Sequence, residues 1–155
     1  MTVRRYFRSK QGWDIRILAT DIDTEVLNYA QRGIYPQAEL EMIPRDLCRQ
    51  YFLRGTGQHA GKCQVQSDIR DMVTFRQLNL IYPTWPFKQP FDLIFCRNVM
   101  IYFDRPTQGT VLNGMAQHLA SDGYLFLGHS ENICYREYPF VPLGATVYEL
   151  KPDYR

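Results

Sequence analysis

The sequence has few of the residues that metal sites, disulfide frameworks and membrane segments require. Its 155 residues include four cysteines and three histidines, and no two cysteines form a C-x-x-C pair. This spacing favours reduced thiols over a zinc site or a disulfide framework. No apolar run approaches the roughly 18 residues that a membrane-spanning helix needs, and the N-terminus lacks the apolar core of a signal peptide. We therefore expect a cytoplasmic protein with no metal site and no direct membrane insertion.

The chain also has little excess charge of either sign. Eighteen lysines and arginines stand against 16 acidic residues, which gives a formal net charge of +2. Because no dense basic stripe accompanies this balance, the sequence argues against a nucleic-acid partner. Apolar types make up 45% of the residues, enough for one domain to bury a sizeable core.

Strand and helix patterns alternate along the chain. The apolar run Ile15–Thr20 is typical of a buried parallel strand, and the helix after it is capped by Asp23 or Thr24 and ended by Gly33. Further strands are predicted at 73–80, 91–96 and 124–127, with an antiparallel edge strand at 146–150. Helices are predicted from near residue 44 to 51 and from about 106 to 120, a glycine-rich hairpin within 52–65, and a turn at 122–123. This order predicts an α/β fold with a mostly parallel sheet.

Acidic residues follow the first predicted strand directly. Ligands of parallel sheets bind at the carboxyl ends of the strands, where a carboxylate can accept both hydroxyls of a ribose. Asp21 is placed for that role, and Asp23 is the better helix cap. The alternative is that both aspartates only cap the helix.

A second polar group follows the strand at 91–96. Arg97 and Asn98 emerge together at its end, which favours a ligand site over a surface pair. Tyr102 lies further along the same turn and could place a hydroxyl near a reacting atom, or it could be a buried aromatic plug. Asn79 and Leu80 end the preceding strand, where backbone and amide groups could bind an adenine edge; the alternative for Asn79 is an ordinary turn residue.

Three motifs in order resemble one known family. They are ATDIDTEVL at 19–27, FCRNVMIYF at 95–103 and GHSEN at 128–132. The chain from about Trp13 to Leu150 is similar to the chemotaxis receptor methyltransferases of the CheR type, which methylate glutamates on bacterial chemoreceptors. The resemblance implies a class I, Rossmann-like methyltransferase fold, S-adenosyl-L-methionine (SAM) as cofactor, and methyl-accepting chemotaxis receptors as partners.

The resemblance also implies roles for individual residues. Asp21 would bind the cofactor ribose, and four further residues would line its adenosine and methionine portions: Asn79, Leu80, Arg97 and Asn98. Tyr102 would face the methyl group, and together with Arg97 it is expected to position the reactants. His129, Ser130 and Glu131 recur in the family, and we assign them no catalytic role.

The hairpin resembles the small β-subdomain inserted in this family, here at about 51–72, which docks the C-terminal tail peptide of some receptors. The matching residues are Arg54, Gly55, Gly57 and Gly61. An open sheet edge can add a peptide strand, and an arginine can pair with a terminal carboxylate. Gln64 replaces a second arginine that peptide-binding members often have, so weaker peptide affinity is expected. The alternative for the glycines is an ordinary flexible loop.

The sequence departs from the family pattern at its front. The family's first strand and glycine-rich turn have no counterpart here, and that strand would lie between the strands at 15–20 and 91–96. We therefore expect residues 1–155 to be a partial catalytic domain that binds cofactor poorly without a complementary segment. Two other interpretations stay open: a non-catalytic module or inactive fragment that binds receptor tails, and a methyltransferase with another acceptor.

Overall fold

The computed structural model describes residues 1–131, 138–144 and 146–154. The chain divides into two compact units, Met1–Asn79 and Leu80–Arg155. Both contain helices and strands, which confirms the predicted α/β class. None of the helices described is long and apolar enough to cross a membrane.

The first unit contains a pair of parallel strands, the first of which is followed directly by a helix. Strand β1 (Ile17–Asp21) pairs with β5 (Val73–Gln77) over their whole lengths. Helix α2 (Thr24–Arg32) follows β1, and Asp23 is its cap, accepting from the N–H groups of residues 25 and 26. Gly33 ends the helix at φ +60°, a left-handed conformation that glycine adopts without strain. The predicted strand, cap and helix end are confirmed.

A small antiparallel sheet forms the rest of the first unit. Its order is β2 (Ile34–Pro36), β4 (Lys62–Val65) and β3 (Phe52–Arg54), and helix α3 (Arg45–Tyr51) leads into β3. The hairpin and the second helix are confirmed. Strand β2 is missing from the sequence prediction because three residues ending in proline give no usable alternation. It precedes the limits of about 51–72 expected for the subdomain.

Two short helices complete this unit. They are α1 (Thr2–Phe7) and α4 (Ser67–Arg70). Arg4 Nε lies 3.5 Å from Asp68 Oδ2, and both side chains are more than 40% exposed. An ion pair with that exposure contributes little to stability.

The second unit contains a four-stranded sheet in the order β6, β7, β9, β8. Strand β6 (Phe91–Cys96) is parallel to β7 (Leu119–Leu127), whereas β8 (Phe140–Gly144) and β9 (Val147–Leu150) are antiparallel to their neighbours. The strand predicted at 146–150 is confirmed as antiparallel, but its edge position is wrong because β8 lies outside it. No strand was predicted at 140–144, and Pro142 fits there because an edge strand has positions whose N–H would have no ladder partner, so a residue without an N–H is tolerated.

Helix α5 (Arg105–His118) packs against this sheet and builds the main core. Asp104 caps the helix by accepting the N–H of Thr107 at 3.0 Å. The core is a cluster of buried side chains from α5, the sheet and the turn after β6: Cys96, Met100, Val111, Leu112, Met115, Ala116, Leu119, Leu125, Leu127, Phe140, Tyr148 and Leu150.

The join between α5 and β7 differs from the sequence prediction. A turn was expected at 122–123, but β7 begins at Leu119, which pairs with Phe91. The next pair is Tyr124 with Leu93, so the register shifts between them. The extra residues form an irregularity within the strand where the turn was expected.

One edge of β1 and one edge of β6 carry no strand in the part of the chain that the structure describes. There β1 pairs with β5 alone, and β6 pairs with β7 alone. The expectation that a further strand belongs beside them stays a prediction.

Candidate functional site

The carboxyl end of the β1–β5 pair carries the first group of candidate residues. Asp21 is exposed, pairs with Gln77 in the strand register, and accepts the N–H of Leu78 at its backbone oxygen. Its Oδ1 accepts the N–H of Asp23 at 3.0 Å, which fixes the side chain at the strand end. Asn79 follows Leu78 directly, so the structure brings Asp21 and Asn79 to the same edge, as parallel pairing requires.

Gln77 supports this edge and was not among the residues predicted from the sequence. Its Nε2 donates to the carbonyl oxygen of Ile22 at 2.9 Å, which holds the loop that follows Asp21. Ile22 itself is 59% exposed and presents apolar surface beside the carboxylate. The strand was predicted to run to residue 80, but β5 ends at Gln77, so no sequence signal marked this residue as the one at the strand end.

The turn after β6 carries the second group. Cys96 is buried at the strand end, and burial raises the pKa of its thiol to about 12, with a smaller contribution from the Glu131 carboxylate. Arg97 and Asn98, which follow directly, are exposed, and Asn98 adopts φ +59°. Asparagine tolerates this left-handed conformation better than most residues do.

Tyr102 lies at the end of a short 3-10 helix, Met100–Tyr102, on the same turn. It is 80% exposed, so the alternative of a buried aromatic plug is wrong. Met100, at 2% exposure, fills the core instead. The turn therefore presents Arg97, Asn98 and Tyr102 outward together.

Glu131 holds this turn from behind, and its role could not be predicted from the sequence. Its carboxylate accepts the main-chain N–H groups of Asn98, Val99, Met100 and Gly128 at 2.6 to 2.8 Å. Burial raises its pKa, but these four hydrogen bonds outweigh burial and leave the pKa below its usual value. His129 and Ser130 are exposed, and position 132, the last of the third motif, lies outside the described residues.

Leu80 belongs to the second unit, where its partly buried side chain packs against the main core. Asn79 ends the first unit. The part predicted for Leu80 in cofactor binding stays a prediction, and its side chain has a structural role in addition.

A shallow groove on the small antiparallel sheet is lined by two of the four residues predicted to bind peptide, Arg54 and Gly55, whereas Gly57 and Gly61 do not line it. Its wall combines the apolar side chains of Ile34 and Leu53 with the cationic ones of Arg54 and Lys62. Gln64 pairs with both Ile34 and Leu53 and therefore lies between them in the same groove. Apolar walls with cationic groups suit an extended peptide that ends in a carboxylate.

The three glycines near Arg54 have conformational reasons of their own. Gly57 and Gly61 adopt φ +56° and +80°. A Cβ on Gly55 would collide with the carbonyl oxygen of His59. These requirements account for the choice of glycine, and their role in peptide binding stays a prediction.

Comparison with known proteins identifies the same family that the motifs indicated. Residues 1–148 match the family model described as "CheR methyltransferase, SAM binding domain". Chemotaxis protein methyltransferase 2 of Pseudomonas aeruginosa is 47% identical over 134 residues, which are 86% of this chain and 48% of that protein. Chemotaxis protein methyltransferase of Escherichia coli is 46% identical over 138 residues, 89% of this chain and 48% of that protein. The chain therefore spans about half the length of these relatives.

Solved structures of more distant proteins also match. The glycopeptide N-methyltransferase MtfA is 12% identical with a TM-score of 0.47, covering 99% of this chain and 74% of MtfA. The resemblance seen in the three motifs is confirmed by the family match, and so is the class I methyltransferase fold that it implied. The chain belongs to the CheR methyltransferase family, in which it corresponds to the SAM-binding domain.

Proposed function

We propose that this chain supplies the cofactor-binding portion of an enzyme that transfers a methyl group from SAM to glutamate side chains of bacterial chemoreceptors. The match of residues 1–148 to the family's SAM-binding domain carries this proposal. Relatives that are 38–47% identical to this chain over the aligned 134 to 149 residues are named chemotaxis protein methyltransferase or probable chemotaxis protein methyltransferase. Within this proposal the acceptor glutamates belong to the cytoplasmic part of the receptors, which assigns the enzyme to the cytoplasm.

The residues at the end of β1 fit a nucleoside cofactor. Asp21 is exposed and its backbone is held by β5, so a carboxylate oxygen can accept ribose hydroxyl groups without rearrangement of the strand. The exposed Ile22 offers an apolar contact for a nucleobase. Asn79, at the same edge, contributes amide groups for hydrogen bonds to the adenosine portion.

The reaction asks for positioning more than for acid–base chemistry. When bound, SAM supplies an electrophilic methyl group on a sulfonium sulfur. The acceptor glutamate is ionised at neutral pH, and its oxygen forms a bond to the methyl carbon as the carbon–sulfur bond breaks. No proton is transferred, so the enzyme needs no general base. Alignment and exclusion of water supply the acceleration.

Arg97, Asn98 and Tyr102 suit that task because they extend from one fixed turn. We assign Arg97 and Asn98 to binding the adenosine and methionine portions of the cofactor. We assign the hydroxyl of Tyr102, whose side chain is exposed, to face the reacting methyl group. Their fixed backbone lowers the entropy that binding costs.

A calorimetric titration of the chain with S-adenosylhomocysteine tests the cofactor assignment. We expect weak but saturable binding, as for a partial domain, that Asp21→Ala weakens further by at least about tenfold, because hydrogen bonds to a charged group contribute about 1.5–3 kcal/mol. Asp14→Ala is the matched control, since Asp14 is also exposed and bonds Arg16 ahead of β1. Unchanged affinity in Asp21→Ala, or no binding by a folded chain, would contradict the proposal.

A methylation assay tests the acceptor. Receptor cytoplasmic fragments are expected to form base-labile methyl esters, whereas unrelated acidic proteins are not. Equal labelling of both would favour a methyltransferase with another acceptor. The non-catalytic alternative is not favoured, because relatives named as methyltransferases match most of this chain.

Docking of a receptor tail on the groove of the small sheet completes the proposal. Strand β3 pairs with β4 alone within the described residues, so its other edge can accept a peptide strand. Arg54 ends β3 and can pair with the terminal carboxylate.

A further inference from the structure

The carboxylate of Glu131 bonds entirely to main-chain N–H groups. Its Oε1 accepts from Val99 and Met100, each at 2.7 Å, and its Oε2 accepts from Asn98 at 2.8 Å and from Gly128 at 2.6 Å. Glu131 is 5% exposed, and among the residues that the structure describes no other charged side chain is buried. Because both oxygens accept twice, an uncharged group of the same shape cannot satisfy all four donors.

The other side of the same turn is held by a second side chain. Gln108, on α5, donates from its Nε2 to the carbonyl oxygens of Met100 at 3.0 Å and Phe103 at 3.1 Å. Glu131 thus binds the N–H groups of residues 98–100 while Gln108 binds the carbonyl groups at their end. The turn is fixed from both directions, by Glu131 from 31 to 33 residues later in the chain and by Gln108 from the helix that follows the turn.

Gly128 shows how closely the carboxylate approaches the backbone. A Cβ at this position would collide with Glu131 Oε2 and would come within 3.1 Å of Asn98 Oδ1. The absence of a side chain at position 128 therefore lets the carboxylate reach the turn.

We infer that Glu131 is a positioning residue, which holds residues 98–100 so that Arg97, Asn98 and Tyr102 present their side chains to cofactor and acceptor. This inference rests on the proposed function for the roles of those three residues. Glu131 acts on them through the main chain, since its carboxylate bonds the N–H groups of residues 98–100 and 128 and its side chain is 5% exposed. Its contribution is to fix the left-handed Asn98 and the direction in which Tyr102 leaves the turn.

A purely structural Glu131 would stabilise the second unit without affecting ligand affinity. The two roles are separated by comparing Glu131→Gln with Asp104→Ala. Glu131→Gln keeps the shape but turns an NH₂ group toward two N–H donors. Asp104→Ala removes another carboxylate that bonds a main-chain N–H of the same unit, at the start of α5. Both variants should lower the thermal unfolding temperature.

The experiment measures two quantities on the wild-type chain and both variants. Hydrogen exchange resolved by NMR reports the protection of the amides of residues 98–100, and calorimetry reports the affinity for S-adenosylhomocysteine. In Glu131→Gln we expect at least about tenfold faster exchange at these amides and about tenfold weaker affinity, as for a lost charge-assisted hydrogen bond. Asp104→Ala should leave both quantities within about twofold of wild type.

Each outcome decides one proposal. Wild-type affinity and protection in Glu131→Gln would overturn the inference, and so would equal losses in Asp104→Ala. A folded wild-type chain that binds no S-adenosylhomocysteine refutes the proposed function, while faster exchange in Glu131→Gln still supports the hold on the turn. If Glu131→Gln does not fold, hydrogen exchange of the wild-type chain is the test. The inference is overturned if the amides of residues 98–100 exchange as fast as the amide of Arg97.

Discussion

The two units differ in how much of their apolar surface they bury. Among the residues described, twelve of the fifteen buried apolar side chains belong to the core of the second unit. The first unit contributes Leu27, Tyr51 and Cys63. Its sheets have two and three strands, whereas the second unit has a sheet of four strands covered by α5. Sheets of two or three short strands are marginal by themselves.

The candidate functional residues are divided between the well-packed and the weakly packed unit. Tyr102 and its turn extend from the well-packed unit, whereas Asp21 and the peptide groove belong to the weakly packed one. Regions with few buried contacts open at lower free energy than a core does. We therefore expect the Asp21 end and the groove to be the more mobile parts of the chain.

The largest expected effect comes from breaking the core of the second unit. Leu112 is fully buried, and Leu112→Ala should lower the free energy of unfolding of this unit by about 2–5 kcal/mol through the cavity it leaves. Leu53→Ala, at a site 54% exposed in the first unit, should change the free energy of unfolding of the first unit by less than about 0.5 kcal/mol. In a Trp13→Phe background, Trp85 fluorescence during urea unfolding reports the second unit alone, and in a Trp85→Phe background Trp13 fluorescence reports the first unit. Similar losses in both variants would show that the packing difference is not a stability difference.

Acid pH offers a milder way to weaken the second unit. The pKa of Glu131 is lowered in the folded chain, so its contribution is complete above the usual glutamate pKa of about 4.3 and is lost as pH falls through the lower folded value. Asp104 of the same unit shifts in the same direction because it bonds Thr107.

The expected result is a fall in the urea midpoint of wild-type chain between pH 5 and pH 3, measured by Trp85 fluorescence. The fall should be smaller in Glu131→Gln, which starts about 1–3 kcal/mol less stable at pH 7 because two donors lose their acceptor. A midpoint that falls equally in both chains would assign the acid sensitivity to other carboxylates.

The smallest effect concerns the peptide groove of the first unit. Gln64→Arg should raise the affinity for a receptor-tail peptide with a free C-terminal carboxylate about two- to fivefold, as expected of one exposed ion pair. An amidated peptide is the control and should gain nothing. Fluorescence anisotropy of the labelled peptides measures the two affinities. An equal gain for the amidated peptide would show that Gln64→Arg does not act through the terminal carboxylate.

The sequence predicted elements whose signals are local. Strand β6 was placed at 91–96 because an apolar run ends there, and α2 was placed by the cap at Asp23 and the glycine at 33. Each of these signals lies within a few residues of the feature it specifies.

Features that depend on distant residues were missed. Glu131 bonds amides 31 to 33 residues earlier in the chain, which no spacing rule connects. Strand β8 was missed because Pro142 reads as a breaker until its edge position is known. Tyr102 could not be assigned to core or surface because its neighbours in the sequence are apolar. In the 3-10 turn Met100 is buried and Tyr102 is exposed, which the apolar pattern alone does not specify.

The raised pKa of Cys96 makes its thiol a reactivity probe for local unfolding of the second unit. A thiol reacts with alkylating reagents as its thiolate, and with a pKa of about 12 almost none is present at neutral pH while β6 stays in place. Exposure to water returns the thiol to ordinary reactivity. Because Cys96 directly precedes Arg97, the rate of alkylation at this position measures how often the strand that supports the turn opens to water.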